Sequence, residues 1–168
     1  MMKIFIMGIV ASGKTTYAKA LSELLELSFF ELDSVVYHEV NEKRIKRTPE
    51  QQVEFIHKID SKGDWIFEGV YRPSYHLVLD LADVIIWLDP PLFKRKYRIF
   101  RRHIKQVLGI EQCAYEPNLL MLRNMYKWTS DFEKKRPLLN EMLKPYQDKI
   151  ITINNSPYKN RELQQIFK

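Results

Sequence analysis

Short apolar runs alternate along this chain with longer stretches in which apolar positions recur every three or four residues. Lys3–Met7 is short, apolar and closed by Gly8, which predicts a buried strand. Lys14–Leu25 puts Tyr17, Leu21, Leu24 and Leu25 on one face, which predicts a helix. SFFELD at Ser28–Asp33 predicts a second strand. Thr48 is placed to cap a helix, with Pro49 at its first position and Gln51 completing a capping box. Further strands are predicted at Trp65–Glu68, at Val84–Leu88 before Pro90 and Pro91, and at Lys149–Asn155.

The stretch FKRKYRIFRRHIKQVL aligns Phe93, Tyr97, Phe100, Ile104 and Val107 on one helical face. That face is expected in the core. Lys94, Arg98, Arg101 and Lys105 share a second stripe, with Arg95 and Arg102 beyond it. Tyr126, Trp128 and Phe132 lie on a later helical pattern and are expected to pack inward.

Strands alternating with helices imply an α/β fold around a parallel sheet, and near-continuous apolar strands imply cover on both faces. Ligands of such sheets bind beyond the carboxyl ends of the strands. The informative residues are therefore Gly8–Thr16, Asp33, Glu68–Arg72, Asp89 and Asn154–Ser156.

The first of these stretches, GIVASGKTT, satisfies G-x-x-x-x-G-K-[ST] between a predicted strand and a predicted helix. Gly8 and Gly13 permit a tight turn. Ala11, Ser12, Gly13 and Thr16 bring backbone N–H groups to phosphate oxygens. Lys14 neutralises phosphate charge, Thr15 offers a hydroxyl to Mg²⁺, and the helix N-terminus adds its dipole. ATP and Mg²⁺ are the expected cofactors. In FEGVYRP, Glu68 would stand beside this loop and could support Mg²⁺ through water. Gly69 allows close approach, and Arg72 could hold an anionic acceptor or a donor phosphate. An ordinary surface ion pair is the alternative for this segment.

Composition narrows the partners. The 168 residues suit one domain, residues 1–168, with 45% hydrophobic and 12% aromatic content. No apolar run reaches the roughly 20 residues of a membrane span, so no membrane partner is expected. A net charge of +6 favours anionic partners without choosing among them. Cys113 is the single cysteine, which suits a reducing, cytoplasmic setting. The N-terminal run also has the outline of a weak signal peptide, but cleavage near Ala11 would destroy the phosphate motif, and a strand accounts for every residue.

Taken together, GIVASGKTT, ELDSVVY, IFEGVYR, DVIIWLDPP, the Arg-rich helix and YKWTSDFEKKRP resemble the nucleoside monophosphate kinase branch of P-loop proteins. Within that branch the chain is similar to the small "DNA topology modulation" proteins, also described as adenylate-kinase-related kinases. The resemblance implies a three-layer P-loop fold, a five-stranded parallel sheet in order 2-3-1-4-5, and a short helical lid over about 93–136. It favours Glu68 over Asp89 for the metal. It suggests that Asp33 faces the acceptor, with Ser34 and Tyr37 lining the site; capping of the next turn is the alternative for Asp33. RIFRR resembles a lid helix, making Arg98 a candidate for adenine stacking and Arg102 for phosphate contact, while Arg123 and Arg136 are expected at the surface. The branch holds adenine with backbone after the last strand, here INNSP. EGVYR departs from the Asp-Gly-Phe-Pro-Arg of adenylate kinases, which puts AMP as acceptor in doubt.

Two functions compete. One is phosphoryl transfer from ATP to a nucleotide or other small anionic metabolite, with Asp33 the candidate base if the acceptor is an alcohol. The other is a DNA-binding regulator that binds ATP. Against the second stands the expectation that the aromatic residues of the basic helix are buried, away from any nucleic acid. Oligomeric state is not legible.

Overall fold

The computed structural model describes residues 2–40, 43–111, 113 and 115–154, the side chains of 39, 40, 43 and 44 excepted. Five strands form the parallel sheet: β1 (Lys3–Met7), β2 (Phe29–Glu31), β5 (Trp65–Gly69), β6 (Val84–Leu88) and β7 (Ile150–Ile153). Their spatial order is β2-β5-β1-β6-β7, so the five strands, counted among themselves, run 2-3-1-4-5 as expected. β3 (Tyr37–Val40) and β4 (Lys43–Lys46) form a separate antiparallel hairpin.

β1 lies at the centre, and its side chains alternate between two cores. Ile4 and Ile6 join Ile66, Ile86 and Leu88 under Tyr17, Ala18 and Leu21 of α1 (Lys14–Leu25). Phe5 and Met7 join Trp65, Phe67 and Ile85 on the other face, together with α2 (Leu32–Val36), α3 (Pro49–Asp60) and α4 (Leu77–Leu81). Period-two alternation with both faces apolar is what a strand covered on two sides requires. The capping box of α3 is present: Gln51 N donates to Thr48 Oγ1 and Thr48 N donates to Gln51 Oε1.

Three local expectations are corrected. The second strand ends at Glu31, because Leu32, Val35 and Val36 bury themselves by helical rather than strand spacing. The hairpin that follows was not expected from the pattern. The last strand begins at Ile150 after a 3-10 segment, Lys144–Lys149, and ends at Ile153; residues 155–157 of the expected INNSP site lie outside the described residues.

The largest correction concerns α5 (Leu92–Val107), which packs against α6 (Leu119–Leu143). The expected core face is outside: Phe93 is 69% exposed, Tyr97 65%, Phe100 50% and Ile104 42%. The buried residues are Arg95, Ile99, His103 and Gln106. Polar partners cause the inversion. Arg95 pairs with Glu133 of α6 and lies over the Phe132 ring, and Gln106 Oε1 accepts from Tyr115 Oη at 3.0 Å. Trp128, expected to pack, is 47% exposed.

Candidate functional site

The turn between β1 and α1 is built by its glycines. A Cβ on Gly8 would lie 2.6 Å from Ser12 Oγ and 2.7 Å from the Leu88 carbonyl oxygen, so no larger residue fits without rearrangement. Gly13 has φ 101°, a left-handed conformation that suits glycine. Ala11 adopts φ 59° without that freedom, a strained feature of the kind that clusters at binding loops. Ser12 is buried, and its hydroxyl has no hydrogen-bond partner among the described residues.

Lys14 and Thr15 start α1 beneath this loop. Lys14 Nζ donates to the Ile9 carbonyl at 3.1 Å, which curls the side chain under the loop. Thr15 Oγ1 donates to Glu68 Oε1 at 2.7 Å, linking the loop to the end of β5. Burial pushes the Glu68 carboxyl above its ordinary value, against the opposing pull of Lys14 and the Thr15 hydroxyl. Burial lowers the Lys14 ammonium, with Glu68 and Asp33 opposing. A buried lysine and carboxylate flanking a hydroxyl, where a glycine turn meets a helix start, suit a phosphate chain with a divalent cation. Among the described residues no cluster of three or more His, Cys, Asp or Glu could hold a metal alone. A cation at Thr15 and Glu68 would therefore need further ligands from a nucleotide or water.

A cavity of about 670 Å³ opens from the loop across the carboxyl edge of the sheet. Thr16, Asp33, Glu68, Gly69 and Arg102 line it, with Lys14 and Thr15 at its base. Asp33 accepts from Arg72 Nη2 at 3.2 Å, so these two candidates meet at the exposed rim. Gly69 serves a purpose the sequence did not indicate: a Cβ there would meet Leu32 Cβ at 2.8 Å, so the glycine lets α2 pack against β5. Ser34 and Tyr37 are not drawn into the cavity. The Ser34 hydroxyl donates to the Glu31 carbonyl at 2.7 Å, and Tyr37 packs against the core.

The two arginines expected on a lid part company. Arg98 Nη1 donates to the carbonyls of Ala11 and Ser12, at 3.3 and 3.0 Å, and so clamps α5 onto the phosphate loop. Arg102 faces the cavity and pairs with Glu111 at 3.2 Å. Arg123 is exposed. Arg136, expected at the surface, instead makes a two-pronged pair with Asp89, at 2.5 and 2.9 Å, and also holds Glu133 at 2.9 Å. Asp89 is therefore occupied by an arginine, whereas Glu68 is hydrogen-bonded to the loop threonine.

Sequence reasoning missed Glu31, Glu111 and Tyr115, all of which line the cavity. Glu31 could have been found from its place at the end of β2. Glu111 is the first acid after the basic helix, a weaker signal.

No family model matches this chain, and no curated protein matches it by sequence. Its architecture nevertheless has close counterparts. A shikimate kinase from Acinetobacter baumannii, solved with shikimate, matches over 99% of this chain and 90% of that one, at TM-score 0.59 and 18% identity. A shikimate kinase from Bacteroides thetaiotaomicron matches over 99% and 98%, at TM-score 0.56 and 15% identity. At such identities the likeness defines the fold alone, and the chain has the three-layer P-loop fold of these kinases.

Proposed function

We propose that this protein transfers a phosphoryl group from ATP to a small anionic metabolite. The observation that carries the reading is the contact of the Thr15 hydroxyl with Glu68, beside buried Lys14, at the head of a cavity that also receives Asp33 and Arg102. When bound, ATP would supply the transferable group and Mg²⁺ would neutralise phosphate charge.

The chain's own residues then divide the work. The loop backbone cradles phosphate oxygens, and Lys14 places a cation beside them. Thr15 and Glu68 are the residues that would hold the divalent cation. Arg102 reaches the same cavity from the lid side, where charge builds during transfer. Its present partner Glu111 would have to yield it. Asp33 and Arg72 form an acceptor rim of mixed charge, able to take an acceptor with both a donor group and an anionic group. If the acceptor is an alcohol, Asp33 would accept its proton; if it is a phosphate, no base is needed. The adenylate-kinase-related character and a nucleotide acceptor belong to this reading.

A thermal-shift screen tests it. ATP with Mg²⁺ should raise the unfolding temperature, and an acceptor should raise it further, because ligands stabilise the state they bind. ATP consumption should then require that acceptor. No stabilisation by any nucleoside triphosphate would defeat the proposal.

A further inference from the structure

We propose that the outward face of α5 is a docking surface for an anionic lipid bilayer. At about 100° per residue, Phe93, Tyr97, Phe100, Ile104 and Val107 fall within an arc of roughly 80°. Leu108 and Ile110 continue the exposure past the end of the helix. Each of these seven side chains is at least 42% exposed. Together they form an apolar patch on the order of several hundred Å², a size that on a folded chain marks a contact surface.

The flanks identify the occupant. α5 contains seven lysines and arginines and no acidic residue. Arg95 and Arg98 are engaged inside, with Glu133 and the loop carbonyls, and Arg102 pairs with Glu111 at the cavity. Lys94, Lys96, Arg101 and Lys105 border the stripe. A second copy pairing along α5, in either direction, would set cation against cation at both flanks. A nucleic acid would satisfy the cations and could stack on Phe93, Tyr97 and Phe100, but would leave Ile104, Val107, Leu108 and Ile110 in water. An anionic bilayer satisfies both halves. Aromatic and aliphatic side chains enter the acyl boundary, while lysine and arginine stems reach back to the headgroups. The surface is a convex helix rather than a groove, which suits a plane. Among the described residues no helix is long and apolar enough to cross a membrane, so the contact is peripheral.

Vesicle sedimentation tests this without nucleotide or acceptor, so its result is independent of the phosphotransfer reading. The full chain should sediment with vesicles of phosphatidylcholine mixed with phosphatidylserine and remain free with phosphatidylcholine alone. Phe93→Ser with Phe100→Ser should weaken that binding at least tenfold, and Lys96→Gln with Arg101→Gln should weaken it at low salt. Both pairs should keep the wild-type unfolding temperature, which separates lost docking from lost folding. Failure to bind anionic vesicles, equal binding to neutral ones, or binding that survives the serine pair overturns the proposal. So does light scattering that shows a dimer broken by the serine pair while vesicles are ignored. Capture of a single-stranded oligonucleotide with the same sensitivity, and no vesicle binding, would overturn it in favour of nucleic acid.

Discussion

α1 and α5 both leave the carboxyl edge of the sheet after a buried strand, and both are amphipathic. They bury opposite faces. α1 buries Tyr17, Ala18 and Leu21 against β1, β5 and β6, and its polar start lines the candidate-site cavity. α5 buries Arg95, His103 and Gln106 along with Ile99, and turns its phenylalanines outward. The difference lies in the surface each helix meets. α1 meets an apolar sheet, where burying hydrocarbon is the main gain. α5 meets α6 and the phosphate loop, which present Glu133 and two free carbonyls. A helix with arginines at the right spacing satisfies those acceptors only by turning its polar face in, because acceptors left unpaired in a buried seam are costly. The same helix thereby carries Arg98 to the loop and Arg102 to the cavity.

The comparison breaks most sharply at the polar start of α1. Lys14→Ala should lower turnover by about a thousandfold, about 4 kcal/mol of lost transition-state stabilisation, while the unfolding temperature stays near wild type. Undiminished ATP turnover would remove the phosphate loop from the chemistry.

Next come the two buried faces themselves. Leu21→Ala empties space in an apolar core and should cost about 3 kcal/mol in chemical denaturation. Arg95→Ala should cost a comparable ~3 kcal/mol, since it removes a fully buried side chain and its ion pair with Glu133. Arg95→Met should cost much less, because Nε and Nη1 of Arg95 have no partner among the described residues and methionine keeps the volume. If both Arg95 variants were silent, the inward polar face would not be what seats α5. The seam also has a pH signature. Arg136 first, then Arg95, holds the Glu133 carboxyl below the usual carboxylate range. Its stabilisation is present above the ordinary carboxylate value and is lost as pH falls through the depressed one. Acid denaturation of Glu133→Gln should accordingly be shallower than that of the wild type.

How much of this was legible follows the same division. The strand order came from the family resemblance and not from local pattern. α1, the α3 capping box and the phosphate loop could be read because local pattern and tertiary environment agree there, through apolar periodicity, the Thr48 and Gln51 pair, and the loop glycines. α5 could not, because a period of 3.6 shows that two faces differ but not which one the neighbour prefers. The neighbour, α6, supplies Glu133 from far along the chain. The same applies to Arg136, read as a surface residue until Asp89 is placed beside it, and to Gly69, whose necessity arises from Leu32. The β3–β4 hairpin was missed because its residues, YHEV and KRIK, carry too little apolar alternation to be distinguished from a polar loop. With the aromatic residues of α5 outside, the sequence-based objection to a nucleic-acid partner also falls, which is why the vesicle experiment includes an oligonucleotide arm.

A smaller effect separates function from stability at the join between loop and sheet. Burial holds the Glu68 carboxyl above its ordinary value, so its ionised form is a cost at neutral pH, relieved as pH falls through the raised value. Glu68→Gln keeps the shape and an acceptor for Thr15 while removing the charge. It should raise the stability of the nucleotide-free protein by about 1 kcal/mol and impair Mg²⁺-dependent turnover, a trade characteristic of functional sites. Asp89→Asn should show the reverse pattern, since Asp89 is bound by Arg136. If Asp89→Asn harmed turnover more than Glu68→Gln did, the metal role of Glu68 would be lost.

The smallest expected effect tests the comparison most directly. Phe93→Ala and Phe100→Ala delete large apolar side chains from a helix, and in a core each would cost about 3–5 kcal/mol. On α5 both residues are at least half exposed, so each deletion should change stability by about 0.5 kcal/mol or less. The control is Ile99→Ala on the same helix, buried and surrounded, which should cost about 2 kcal/mol or more. Denaturant unfolding of the three variants reads the orientation of α5 without reference to any ligand. A large loss for Phe93 or Phe100 with a small one for Ile99 would mean that the helix sits with its apolar face inward. In that case Arg98 would leave the phosphate-loop carbonyls and the docking surface would not exist. A small loss for the two phenylalanines and a clear one for Ile99 leaves the buried polar face as the reason Arg98 reaches the loop and Arg102 the cavity.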